Sequence, residues 1–156
     1  MLLQWPDDPY ALASRAHLRV QAGQVQRALA DSQRLVQLRA QHAGTWFNHG
    51  FMLEAAGQLQ EAEAAFRRAT ELGPELDRAW YGLGLVLIRL QRYDEAVVAL
   101  KRNTELQPMS PYGWYQLARV QIDRHQPEEA VKIIRHLKGF EPKVAAQLER
   151  ETGLAA

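Results

Sequence analysis

A single interval runs through this chain. Trp46, Trp80 and Trp114 lie 34 residues apart, and Pro74, Pro108 and Pro142 keep the same spacing. Ala28, Ala62, Ala96 and Ala130 form a third column, with Glu61, Glu95 and Glu129 directly before the last three. Independent columns sharing one such period mark stacked supersecondary units, each burying its apolar face only against a neighbour. Between Ala43 and Pro74 one period holds two helical stripes. Trp46, Gly50 and Leu53 form the first, which Gly57 interrupts; Leu59, Ala62, Phe66 and Ala69 form the second, which Gly73 and Pro74 stop. The residues between them are mostly good helix formers, and Val, Ile and Thr nowhere alternate as a strand requires.

The next periods repeat this pattern with Trp80, Leu83, Gly84 and Leu87, then Tyr93, Ala96 and Leu100, and again with Trp114, Leu117 and Ala118, then Ala130, Ile134 and Leu137. The first unit is degenerate. Leu12 replaces the tryptophan, Ala16 the glycine and Ala40 the proline, as suits a terminal repeat with one uncovered face. Pro9 and Pro111 suit a first helical turn, where a missing N–H costs nothing. After Pro142, an apolar stripe of Val144, Ala145 and Leu148 set among charged residues reads as a solvating end helix.

These residues resemble the tetratricopeptide repeat family, whose pattern is W-x2-L-G-x2-Y, then A-x3-F, then P. Trp80-x2-Leu83-Gly84-x2-Leu87 carries the first part with leucine for tyrosine, and Ala62-x3-Phe66 with Pro74 carries the rest. The resemblance implies an all-α, right-handed helix-turn-helix repeat solenoid of about four units plus a C-terminal capping helix. The expected repeats span about 9–42, 43–76, 77–110 and 111–144, with the cap at about 143–152, in one domain over 1–156. Trp, Gly and Ala columns are then packing positions, with Phe66, Leu100 and Ile134 filling the space between repeats.

In such arrays partners are held on the concave surface lined by the first helix of each pair. The residues expected there are Tyr10 and His17, then Phe47, Asn48 and Phe51, then Arg78, Tyr81, Leu85 and Arg89, and last Tyr112, Tyr115 and Arg119. Phe47, Tyr81 and Tyr115 share one column; Phe51, Leu85 and Arg119 share the adjacent one. Aromatic rings and arginine are the usual interface anchors, although the same rings can also pack first helices together. The arginines favour a ligand with a carboxylate or acidic segment. The clamp that some relatives use for acidic chaperone termini is missing, because Ala13, His17 and Gly82 stand beside Asn48 and Arg78 in its five places. A ladder of asparagines fails too, since Ser14, Gly82 and Gln116 share the Asn48 column.

Catalytic constellations are absent. Five histidines show no H-E-x-x-H spacing, no cysteine is present, and Gly82-Leu83-Gly84 lies in a helical pattern without a preceding strand. His49 replaces a leucine of the first-helix stripe and reads as a packed or half-exposed histidine, not a ligand. No cofactor or metal is expected. A formal net charge of +1 gives no general case for nucleic acid, and the longest apolar stretch, Leu83–Ile88, is far below the roughly 20 residues of a membrane span. The opening Met1–Pro6 is too short and too soon acidic for a signal peptide, so a cytoplasmic location is expected. The expected function is a non-catalytic scaffold or adaptor holding a peptide or partner protein, with self-association open. The alternative is a regulatory or substrate-recruiting domain of a larger enzyme or signalling protein.

Overall fold

The helices follow the period. In a computed structural model, which describes residues 8–156, first helices run at α1 (Pro9–Gln21), α3 (Ala43–Ala55), α5 (Asp77–Arg89) and α7 (Pro111–Asp123). Second helices run at α2 (Val25–Leu38), α4 (Leu59–Leu72), α6 (Tyr93–Leu106) and α8 (Pro127–Lys138). A ninth, α9 (Pro142–Thr152), follows, and there is no strand among the described residues. The opening segment read against a signal peptide lies outside them.

Each first helix stops in the same way. Two residues past its end the backbone turns left-handed, at Gly23 (φ 77°), Gly57 (φ 78°), Gln91 (φ 59°) and His125 (φ 61°). The next amide reaches back five residues, as in Gln24 N–H to the Arg19 carbonyl (2.7 Å) and Arg92 N–H to the Leu87 carbonyl (2.9 Å). This is the Schellman closure, which satisfies carbonyls that the helix end leaves open. Proline supplies the start of α1, α7, α8 and α9, where its missing N–H would have been unpaired.

The described residues divide into two units, with the boundary between Gly82 and Leu83, inside α5. In the first unit, α1 packs on α2, α2 on α3 and α3 on α4. Its centre is Phe66, 1% exposed. A Cβ built at Gly50 or at Gly82 would stand 2.8 Å from this ring, so both glycines admit the aromatic side chain. Gly82 is thus a packing residue, and a side chain there would displace Phe66 from a site worth about 1.5–3 kcal/mol of burial. In the second unit α6 packs on α7, α7 on α8, and α9 on both α7 and α8. Gly84 there admits Leu100, whose Cγ lies 2.7 Å from where a Cβ would be. Ala145 and Leu148 of α9 are fully buried.

The tryptophans depart from simple core packing. Trp46, Trp80 and Trp114 are half-buried. Their indole N–H groups donate to the carbonyls of Ala40 (2.8 Å), Pro74 (2.9 Å) and Pro108 (2.9 Å). The ring therefore ties α3, α5 and α7 each to the loop before it, and the residue six positions upstream contributes a carbonyl whether or not it is proline.

Candidate functional site

Five of the residues expected to meet a partner come together in the first unit. His17, Phe47, Asn48, Phe51 and Arg78 line one pocket of about 340 Å³, together with buried Ala16, Ser32, Leu35 and Met52. Phe47 is fixed by Phe66, their centroids 5.8 Å apart, so one ring both packs and lines the pocket. The Arg78 guanidinium lies 5.1 Å from the Phe47 centroid, a cation–π arrangement. Among the described residues no carboxylate pairs with Arg78, and the Asn48 amide has no hydrogen-bond partner. Phe51 is 49% exposed, and His17 contacts Gln21 at 3.2 Å.

The other expected residues do not join this pocket. Tyr10 is exposed and carries the Arg39 guanidinium 5.6 Å from its centroid. Tyr81 and Leu85 are half-buried, while Arg89 and Tyr112 are exposed. Tyr115 and Arg119 are engaged within their own unit. The Tyr115 hydroxyl donates to Glu151 Oε2 (2.5 Å), and Arg119 Nη1 donates to the same oxygen (2.8 Å). Hydrogen bonding by Tyr115 and then Gln147 lowers the Glu151 pKa, and the bond to Glu151 raises that of Tyr115. Two further cavities in the second unit, of about 500 and 390 Å³, contain none of the expected residues. The larger is walled by ion pairs, Arg92–Glu95 and Arg124–Asp94, whose charges already satisfy each other.

Two polar clusters on α2 fall outside the expected set, one of them through Ser32 in the pocket wall. Buried Asp31 accepts from Arg15 (2.6 Å) and Arg19 (2.9 Å). Buried Ser32 meets His49 Nδ1 at 2.8 Å and donates to the Leu29 carbonyl at 3.0 Å. Their signal lay in the columns: Asp31 aligns with Ala65 and Ala99, and Ser32 with Phe66, Leu100 and Ile134. Among the described residues no group of three or more acidic or histidine side chains is placed to hold a metal, and no helix is long and apolar enough to cross a membrane.

The family profile described as Tetratricopeptide repeat matches residues 14–77 and 52–111. The chain belongs to the tetratricopeptide repeat family. No curated protein matches it significantly in sequence. Several solved structures resemble it in fold. MamA protein matches at TM-score 0.82 and 20% identity, covering 99% of this chain and 82% of MamA. YrrB, described as a TPR protein with an unusual peptide-binding site, matches at TM-score 0.78 and 20% identity over 97% of this chain and 81% of its own. A thermophilic TPR protein of Thermus thermophilus, TTC0263, matches at TM-score 0.76 and 22% identity, covering 98% and 86%. At such identities the likeness is one of fold.

Proposed function

We propose that the chain is a non-catalytic interaction scaffold that holds a peptide or partner protein, anchored in the pocket of the first unit. The observation that carries this reading is the convergence of Phe47, Phe51, Asn48 and Arg78 on one cavity. Its apolar walls suit one aliphatic or aromatic side chain, the open Asn48 amide suits a peptide backbone, and Arg78 suits a neighbouring carboxylate. The tetratricopeptide fold and the peptide-binding site ascribed to YrrB support it. A cytoplasmic location belongs to the same proposal.

The test uses immobilised peptides that carry leucine or phenylalanine beside aspartate, with lysine-flanked versions as controls. Wild-type chain is expected to be retained by the acidic series. Phe51→Ala or Arg78→Gln is expected to weaken retention by about 2 kcal/mol, roughly thirtyfold, with helicity unchanged. Retention indifferent to both substitutions would sink the pocket as the anchor.

A further inference from the structure

We infer that Tyr115 and Arg119 of α7 form a receptor for a carboxylate, filled in the resting chain by Glu151 of α9, and that an acidic segment of a partner docks there by replacing Glu151. The inference rests on the proposed reading that first-helix faces meet a partner. Two observations carry it.

The first is the chemistry of the contact. A phenol O–H and a guanidinium N–H converge on one carboxylate oxygen, at 2.5 and 2.8 Å, while Gln147 donates to the other oxygen at 2.9 Å. Both α7 groups offer donors, and an ionised carboxylate is purely an acceptor, so charge-assisted bonding selects it over neutral side chains. The periodic columns supply the second. Tyr115 and Arg119 stand two periods after Phe47 and Phe51, which line the pocket of the first unit. The carboxylate therefore lies on the α7 positions that correspond to a pocket wall on α3.

The hold of Glu151 is weak enough to be exchanged. Fully buried packing of α9 ends at Leu148. Beyond it the last turn is tied by polar contacts alone, Glu151 to Tyr115, Arg119 and Gln147 and Glu149 to Lys138 (3.5 Å), all between exposed or partly exposed side chains. Water and salt screen such pairs, so each contributes little. A segment carrying several carboxylates competes with one glutamate held at the effective concentration of a tethered ligand.

Binding of fluorescein-labelled hexaglutamate to the full chain at low salt, followed by anisotropy, tests this. Glu151→Ala is expected to bind the probe about fivefold more tightly than wild type, the gain from freeing one exposed pair. Glu149→Ala removes the same charge from the same turn and is expected to behave as wild type. Adding Arg119→Gln to Glu151→Ala is expected to abolish the gain. Equal effects of Glu151→Ala and Glu149→Ala, or a gain that survives Arg119→Gln, overturn the receptor. Circular dichroism follows α9 in each variant; where Glu151→Ala frays it, Glu151→Gln, which removes only the charge, decides on the same criteria. Failure here with Phe51-dependent peptide retention intact removes the receptor alone. Retention that ignores Phe51 and Arg78 counts against the anchoring pocket instead.

Discussion

At His49 the chain places imidazole where later repeats carry Leu83 and Leu117, and opposite it Ser32 stands where Phe66, Leu100 and Ile134 fill the core. The two departures compensate: a small hydroxyl makes room for the ring and bonds it at 2.8 Å. Burial lowers the His49 pKa, because the charged imidazolium loses hydration there. The folded state thus binds fewer protons than the unfolded one just below the usual histidine pKa of about 6.5. Stability from this source is full above that pH and falls progressively as pH drops toward the lower folded value. Urea midpoints at pH 8, 6.5 and 5 are expected to fall less steeply for His49→Leu than for wild type, and parallel slopes would contradict the assignment. Each substitution is visible in the sequence, column by column. That the two side chains meet is not, because 17 positions separate them and only the packing of α2 on α3 joins them.

The helix ends carry a more regular signal. Gly23 and Gly57 take the left-handed turn without steric cost, whereas Gln91 and His125 hold the same conformation with a Cβ. Gln91→Gly and His125→Gly are each expected to raise unfolding stability by about 0.5–1 kcal/mol, read from urea denaturation. A loss in both would mean that these side chains make compensating contacts. The helix pairs were legible because glycine, proline and apolar spacing agree in the middle repeats. Gln91 and His125 do not look like turn residues, and only the period assigns them to the turn. The tryptophans were legible as a column but not as hydrogen-bond donors, since the acceptor is a main-chain carbonyl that no residue type advertises.

For the molecule as a whole, near-neutral charge is coupled to extensive local pairing. Arg15, Arg19, Arg67, Arg68, Arg92, Arg102 and Arg124 all engage carboxylates. These cations are neutralised in place and are poorly disposed to displace counterions from a phosphate backbone. Retention on immobilised polyuridylate is accordingly expected to be negligible at both about 50 and about 200 mM salt, roughly the range over which a phosphate-binding protein loses most of its affinity. Strong retention at the lower salt that disappears at the higher would argue for RNA. The lining of the candidate pocket was legible where periodic positions of α3 and α5 line one cavity, as at Phe47, Phe51 and Arg78. At Tyr115 and Arg119 the positions stand in the columns but the contact that fills them does not, because Glu151 lies beyond the last repeat and no column announces it. The ties from Trp46, Trp80 and Trp114 to the preceding loops have an optical consequence. An indole held half-buried by its N–H emits differently from one released into water. Chains retaining one of these three tryptophans, with Trp5 also replaced, therefore carry a fluorophore that reports the opening of a single repeat junction without an added label.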